Sequence, residues 1–453
     1  MKKRLISMLI VVLMVLALSA CSNSASAPSS PEASGSSASS SAVASESHAS
    51  SQSASQSAST ETSLHPIYTY KDALSLGGVK RPQMDSRASI DKALPKEKKE
   101  KLKIGATMVS QSMAWFVEVG NSIKKKAADY GWEASLLICD FDPQKQSTQI
   151  DTFISQKVDA IILDSADLAT GKELVARAVA AGIPVVGIGQ QLEEDSNIIT
   201  SVMSNSYQTA WNVAQVTAKK MQGKEIKAAA LLGMLGSNSS ESRINGMMGG
   251  LIFARAEQAG KPMVKEDAMM AGQKMMEDIR ANGKASYPDL KFEVLAVNGD
   301  ARWTEEGGQK ATEDVMTAHK DVNLLIVDQD FMGLGAVKAL EGMGLKAGGD
   351  DGVQIMCAAD SYKPSLELIK EGKILVTGYG AAATIGGNAV ELLHKIFVEG
   401  YDASNMVISQ DLPPIAIDAT NVDEYIDPNS DFAKVVPFTF LTIDEYNKQN
   451  ASK

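Results

Sequence analysis

The sequence predicts an α/β protein of two doubly wound parallel-sheet lobes, and three observations carry that expectation. Short β-branched or apolar runs alternate with longer amphipathic segments from Leu102 onward. The alternation comes as two series of similar length. The body that contains them runs to about 350 residues, more than one hydrophobic core usually takes. Repeated βα units of this kind form parallel sheets covered by helices on both faces.

In the first series, "LKIGATMV" is a strand, and Phe116, Val119, Ile123, Ala127 and Tyr130 then recur at helical spacing until Gly131. "WEASLLIC" follows, then a helix over Gln144 to Gln156 whose start is marked by Asp142 as cap and Pro143 as first-turn residue. "DAIILD", the helix "GKELVARAVAAG" and "IPVVGIG" repeat the unit, and "NIITSVM" closes the series. The second series opens with a helix over Tyr207 to Met221. It continues with "KAAALLG", a helix over Glu241 to Gln258, "KFEVLAV", a helix over Glu305 to Ala318, "NLLIVDQ", a helix through "GLGAVKALEGMG", and "VQIMCAA". Lys261 to Leu290 interrupts this lobe and carries many of the 21 methionines, which suits pliable packing on an inserted helix.

Upstream of the body, Lys2, Lys3 and Arg4 precede an apolar run from Leu5 to Leu18, and "LSAC" ends at Cys21. A basic start, an apolar core short for a bilayer span and small residues before the cut are the parts of an export signal. The cut site resembles the bacterial lipobox, which implies removal of residues 1–20 and lipidation of Cys21. Residues 21–63 are Ser-rich and cannot bury enough apolar surface to fold; a coil of about 40 residues reaches roughly 30 to 40 Å, enough to hold a domain off a membrane. Residues 64–101 read as a lead-in segment.

Composition narrows the function. The net charge of −11 leaves no broad basic surface for nucleic acid. Cys139 and Cys357 lie in separate apolar runs and are expected as two buried thiols; none of the four histidines is near a cysteine, and neither a metal site nor a cofactor is expected. "GMLGSNSSES" lacks the Lys-Ser/Thr ending of a phosphate loop, no G-x-G-x-x-G follows the first strand, and no nucleophile elbow occurs. An enzyme is therefore not expected, and no catalytic residue is assigned.

In open parallel sheets, ligands bind beyond the carboxyl ends of the strands. Trp115, Phe116, Asn205, Arg243, Trp303, Gln329, Asp330 and Asp360 all fall at such ends. A polar ring such as a sugar has an apolar C–H face, which aromatic rings cover, and an edge of hydroxyls, which Arg and Asp grip through charge-assisted hydrogen bonds. Asn and Gln both donate and accept, as hydroxyls do.

From about Leu102 to Ala419 the order and spacing resemble the ribose-binding-protein group of type I periplasmic binding proteins, the solute receptors of sugar ABC transporters. "MAWFVEVGNSIKKKAADYGWE" is similar to the family's aromatic pocket motif and first helix, "AGIPVVGIG" to a later strand, and "SNSYQTAW" to the first passage between lobes. "SESRINGM" resembles the Arg-bearing turn, "VDQDFMGLGAVKAL" a turn with a polar ligand contact, and "AADSYKP" the Asp turn. Trp303 falls where the family often has another pocket aromatic. Where ribose and glucose receptors have an Asp-Arg pair, this chain has Gly189 and Gln190, and Gly380 stands in place of a late pocket Gln. Gln190, Gln191 and Tyr379 are the candidates to supply the missing hydroxyl grips.

The resemblance implies a three-segment hinge near Asn205, Tyr379 and Ala419. The N-terminal lobe is then 102–204 with 380–418, and the C-terminal lobe 205–379 with 419–447. It also implies a monomer that takes a small polar ligand, a monosaccharide or polyol above all, and delivers it to an ABC permease in the membrane. Lipid-anchored on the extracytoplasmic face, the chain would have no DNA-binding role. A receptor for an autoinducer, nucleoside or sugar that acts with a sensor kinase is the alternative that such a body also fits.

Overall fold

The structure is a computed structural model and describes residues 93–95, 97–189, 192, 196–235, 237–380, 382–445 and 448. The export signal, Cys21, the tether, all but the end of the lead-in, and Gln190 and Gln191 lie outside the described residues. Among the described residues, no helix is long and apolar enough to cross a membrane.

Two sheets organise the chain. The first is built from β1 (Lys103–Met108), β2 (Glu133–Ile138), β3 (Ala160–Asp164), β4 (Val185–Ile188), β5 (Thr200–Ser204) and the late strand β12 (Ser409–Leu412). Its order is β12-β5-β4-β3-β1-β2, parallel throughout. The second contains β6 (Ile226–Leu231), β7 (Ala285–Tyr287), β8 (Phe292–Asn298), β9 (Leu324–Val327), β10 (Gln354–Cys357), β11 (Val376–Gly378) and β13 (Ala416–Asp418). Its order is β13-β11-β10-β9-β6-β8-β7, parallel inside and antiparallel only at the β13 and β7 edges. Central strands β3, β9 and β10 are buried at every position, as continuous apolar runs covered on both faces must be.

Several helices start where a polar side chain satisfies free N–H groups. After α1 (Ala114–Asp129), α2 (Pro143–Ser155) is capped by Asp142, which accepts from the Gln144 and Lys145 amides. α3 (Leu168–Ala180) is capped by Asp167, and α4 (Ser206–Lys220) by Asn205. α5 (Asn238–Gln258) packs on α4 at close range: a Cβ on Gly246 would lie 2.4 Å from the Tyr207 carbonyl oxygen. The inserted α6 (Lys265–Asn282) buries Met269, Met275 and Met276, and its Gly272 lies so near Gly249 that a Cβ would fall 2.6 Å from that amide nitrogen. α7 (Glu305–Ala318), α8 (Asp330–Gly342), α9 (Lys363–Lys370), α10 (Ala382–His394) and the short α11 (Val422–Tyr425) complete the set.

The passages between sheets differ from the expected three. The first leaves β5 at Ser204 and enters α4, and the second leaves β11 at Gly378 and enters α10. The third falls between Leu412 and Ala416 rather than near Ala419, because Ala416–Asp418 already pairs with β11 in the second sheet. Two prolines, Pro413 and Pro414, occupy the passage.

A fourth passage follows. Phe432 bridges to Tyr362, and the Ala433 amide donates to the Ser361 carbonyl, both on the second sheet's side. The chain then returns to the first sheet. Gln410 of β12 donates to the Leu441 carbonyl and accepts from the Leu441 amide, both at 2.8 Å, while Thr442 bridges to Met406 and Phe440 is buried. Residues 440–445 therefore belong with the first sheet, not with the second lobe as expected. Between the two ends, the buried Tyr379 hydroxyl donates to the Lys434 carbonyl, accepts from the Val436 amide and shares a 2.8 Å hydrogen bond with Thr384.

That hydroxyl is the fixed point of the strap, so Tyr379→Phe should cost about 1–2 kcal/mol, the penalty of leaving part-buried backbone groups unpaired. Urea unfolding measures it. A midpoint equal to the parent's would mean that the strap is held elsewhere.

Candidate functional site

A cavity of about 380 Å³ lies between the carboxyl ends of the two sheets. On the first sheet's side, α1 begins directly after the β1 turn and presents Trp115 and Phe116 at its first positions. The Trp115 indole N–H donates to the Gly380 carbonyl at 3.0 Å, and its ring meets Phe116 edge to face at 5.1 Å. Phe116 in turn meets Phe141 edge to face at 6.1 Å. Asp140 and Phe141 both have positive φ, 55° and 57°, before the Asp142 cap, a backbone state that costs a non-glycine residue free energy. Phe141 stays 45% exposed in this wall.

On the second sheet's side the central group is Asp328, at the end of β9 and 2% exposed. Its carboxylate accepts from the Gly233 amide at 2.9 Å, the Trp303 indole at 2.9 Å, Arg243 Nη1 at 3.0 Å and the Ser240 hydroxyl. Those donors come from the turn after β6, the start of α5 and the turn before α7. Glycine is required at 233: a Cβ there would fall 2.0 Å from Trp303 Nε1. Trp303 lies flat on that turn, with Arg302 and Trp303 both at positive φ.

Arg243 and Asp360 reach the cavity itself. Burial alone lowers the affinity of the Arg243 guanidinium for its proton, but Asp328, Asp360 and Asp330 more than reverse this, so it stays charged. Its Nε has no hydrogen-bond partner. Asp360, at φ 93° and 7% exposed, has no hydrogen-bond donor on its carboxylate among the described residues. Burial pushes its pKa up to about 6, with Arg243 pulling it down and Asp328 pushing it up.

Four expected ligand groups are placed differently. Asp330 is fully buried behind the wall, where it accepts from Thr377 Oγ1 at 2.5 Å and the Tyr362 amide at 2.7 Å; burial and then Asp360 hold its pKa well above the usual range. It braces α8 against β11 rather than facing a ligand. Asn205 caps α4 and donates to Asp411 at 3.2 Å, outside the cavity wall. Gln329 lines the cavity, yet its amide is engaged at both ends, donating to the Trp303 carbonyl at 2.9 Å and capping α8 through the Met332 amide. Tyr379 lines the cavity by its ring only, since its hydroxyl holds the strap. Trp115, Phe116, Arg243, Trp303 and Asp360 are brought together, and Gln190 lies outside the described residues.

Sequence reasoning missed Asp164, Asp328, Phe141 and Phe331. The first two had a signal: each is a carboxylate that ends a fully apolar strand run, "IILD" and "LLIVD", and so must sit at a carboxyl edge. Asp164 explains Gly189 as well, because a Cβ at 189 would fall 2.4 Å from Asp164 Oδ1. The first lobe thus has a cavity carboxylate one strand away from the expected position. Gly380 is explained by the close pass of Asp360, whose amide nitrogen would lie 3.0 Å from an added Cβ.

The set can bind but offers no reaction chemistry. The buried Cys357 thiol is pushed well above its ordinary pKa by burial and by Asp330 and Asp360, which removes it as a nucleophile. Glu391, His394 and Glu399 converge on the far end of α10, but Lys126 sits 2.8 Å from Glu391 and the His394 ring is stacked on Tyr130 at 4.1 Å. That cluster reads as helix packing.

Comparison with known proteins agrees with this geometry. A ribose import binding protein of Bacillus subtilis (strain 168) is 23% identical over 298 residues, covering 66% of this chain and 82% of that protein. A D-apiose import binding protein of Actinobacillus succinogenes is 22% identical over 312 residues, covering 66% of this chain and 88% of that one. Among solved structures, an ABC transporter periplasmic solute binding protein from Actinobacillus succinogenes with bound D-allose matches with a TM-score of 0.57 at 20% identity, over 72% of this chain and all of that one. A solute binding protein from Bacillus halodurans with bound myo-inositol gives 0.55 at 23% identity, over 73% and 98%. These are binding proteins rather than enzymes, and the structures share the two-lobed fold. Residues 104–401 match the periplasmic binding protein domain, and the chain belongs to that family.

Proposed function

We propose that the chain is an extracytoplasmic, lipid-anchored solute-binding protein that captures a small polar ring, a monosaccharide or polyol, and delivers it to an ABC importer. One observation carries this reading: the Asp360 carboxylate, which has no donor among the described residues, and the partly exposed Arg243 guanidinium line the same cavity as a set of aromatic rings. That is the chemistry a polyhydroxylated ring requires, with C–H faces on the rings and hydroxyls on the charged groups. The ligands named for the relatives and neighbours, ribose, apiose, allose and myo-inositol, are of this class. The anchor rests on the export signal and Cys21 in the sequence.

Exposed apolar side chains stand on both sides of the cleft, Phe141 on one and Met234 and Leu235 on the other. Closure that covers them is favoured most when a ligand touches both lobes at once, so differential affinity drives the motion. A permease then distinguishes the loaded from the empty form.

A thermal-shift series against pentoses, hexoses and polyols tests the reading, because a ligand that binds only the native state raises Tm. No shift with any member of these classes would reject a sugar or polyol as the solute.

Asp360 gives a pH-dependent expectation. Its native pKa of about 6 lies above the ordinary 3.8, so the native carboxyl holds its proton to higher pH than the unfolded chain does. This group's cost is absent below pH 4, grows as pH rises through 4 to 6, and reaches about 3 kcal/mol above that window. Asp360→Asn should therefore raise the Tm of the ligand-free protein at pH 7.5 and lose most of that advantage at pH 4.5. An equal effect at both values would show that the carboxylate is not the source. Ligand hydroxyls need the ionised acceptor, so affinity should tighten from pH 5 to pH 7.5 in calorimetry.

Asp328 should behave in the opposite way. Asp328→Ala leaves Arg243 and the Trp303 indole without their acceptor, and breaking a buried ion pair costs about 3–5 kcal/mol. Both stability and ligand affinity should fall, and retention of either at the parent's level would remove Asp328 from its positioning role.

A further inference from the structure

The balance of charge in the cavity narrows the ligand beyond a polar ring. Three acidic side chains line it: Asp164 and Asp167 from the β3–α3 turn, and Asp360 from the turn after β10. Among the described lining residues one guanidinium stands against them, Arg243, which is already paired with Asp328 at 3.0 Å. Six aromatic rings share the same space: Trp115, Phe116 and Phe141 on one side, Trp303 and Phe331 on the other, and Tyr379 at the passage between them. Each ring face carries negative electrostatic potential and attracts a cation brought within about 6 Å of its centroid. A buried carboxylate without a donor is likewise stabilised most by a cationic one.

Resting on the solute-binding reading above, we propose that the cleft selects polar rings that carry an ammonium group, such as amino sugars or aminocyclitols, over their neutral parents, and excludes anionic ones. The ammonium sits against Asp360 within the aromatic walls, while ring hydroxyls meet the exposed part of the Arg243 guanidinium. Arg243 acts on Asp360 as well as on Asp328, but the acidic side chains lining the cavity still outnumber it, so the preference stands. A uronate or a sugar phosphate would bring a second anion beside Asp164, Asp167 and Asp360 and gain only the share of Arg243 that Asp328 leaves.

Matched pairs test this by calorimetry at pH 7.5: glucose with glucosamine, galactose with galactosamine, and myo-inositol with an aminocyclitol of the same ring, with glucuronate as the anion. The expected result is an amine at least tenfold tighter than its neutral parent in one or more pairs, and no detectable binding of glucuronate. Asp360→Asn should remove most of that tenfold advantage, and N-acetylation of the bound amine should do the same. Neutral members that bind as well as or better than their amines in every binding pair overturn the inference and leave the sugar-binding reading intact. An amine advantage that survives Asp360→Asn overturns the placement of the ammonium. If no member of any pair binds, this inference is overturned, while the sugar-class reading is decided by the wider thermal-shift series.

Discussion

The Asp328 carboxylate is the constraint on which the second lobe's share of the site depends. Four donors from three separate turns converge on its two oxygens. Ser240 and Arg243 ride on the first turns of α5, whereas Gly233 and Trp303 sit in irregular turns, Trp303 at a positive φ that an isolated chain would leave. A buried carboxylate satisfied in this way is tolerable, whereas the same group without its donors is not. Arg243 and Trp303 are consequently set in place before any ligand arrives, which lowers the entropy that binding must overcome.

The same logic of satisfied buried groups explains the hinge. Tyr379 puts its ring in the cavity wall and its hydroxyl on the strap formed by residues 434–436, so one side chain connects the ligand space to the fourth passage between sheets. The strap runs on to β12, where Gln410 holds Leu441 by two hydrogen bonds. Movement of one lobe against the other must then bend four segments together. The two prolines of the third passage, with fixed φ, limit where that bending can occur.

The order of strands and helices was legible because parallel strands buried on both faces are written as unbroken apolar runs, and helices as 3.6-residue stripes. Glu305 to Ala318 falls where the spacing put it, and Asp142 with Pro143 starts a helix as their chemistry requires. The aromatic corner at Trp115 and Phe116 was legible for the same reason: position after a strand fixes position at the cleft. What a side chain does at that edge was harder to read. Asp328, Gln329 and Asp330 are consecutive, yet the first holds two site residues, the second caps a helix and the third faces Thr377. Which way each points depends on the local φ and ψ of one turn, and no periodicity encodes that. The return of residues 440–445 to the first sheet depends on contacts with Met406 and Gln410 about 30 residues earlier, which local pattern does not carry either.

Asp328 and Asp360 lie in the same cleft and follow opposite rules. Asp328 is satisfied by the protein, and its site is rigid as a result. Asp360 has no donor among the described residues, and burial in that state pushes its pKa up to about 6, which on the proposed function is the cost of a group kept for the ligand. A receptor needs both kinds of group. If every polar atom in the cavity were satisfied internally, a ligand would have to break hydrogen bonds in order to form its own, and little net affinity would remain. If none were, the turns that carry Arg243 and Trp303 would have no fixed geometry. The exposed rings follow the same division: Trp115 is tied by its indole N–H to Gly380 and Trp303 to Asp328, while Phe141 has no polar atom to tie and remains at the edge of the cleft. Among the described residues the cleft thus combines a carboxylate without a protein donor and uncovered apolar surface, and on the proposed function a ligand that supplies donors and covers the rings relieves both at once. Such relief favours the closed state only when the right solute is present, which is the condition for closure to carry information.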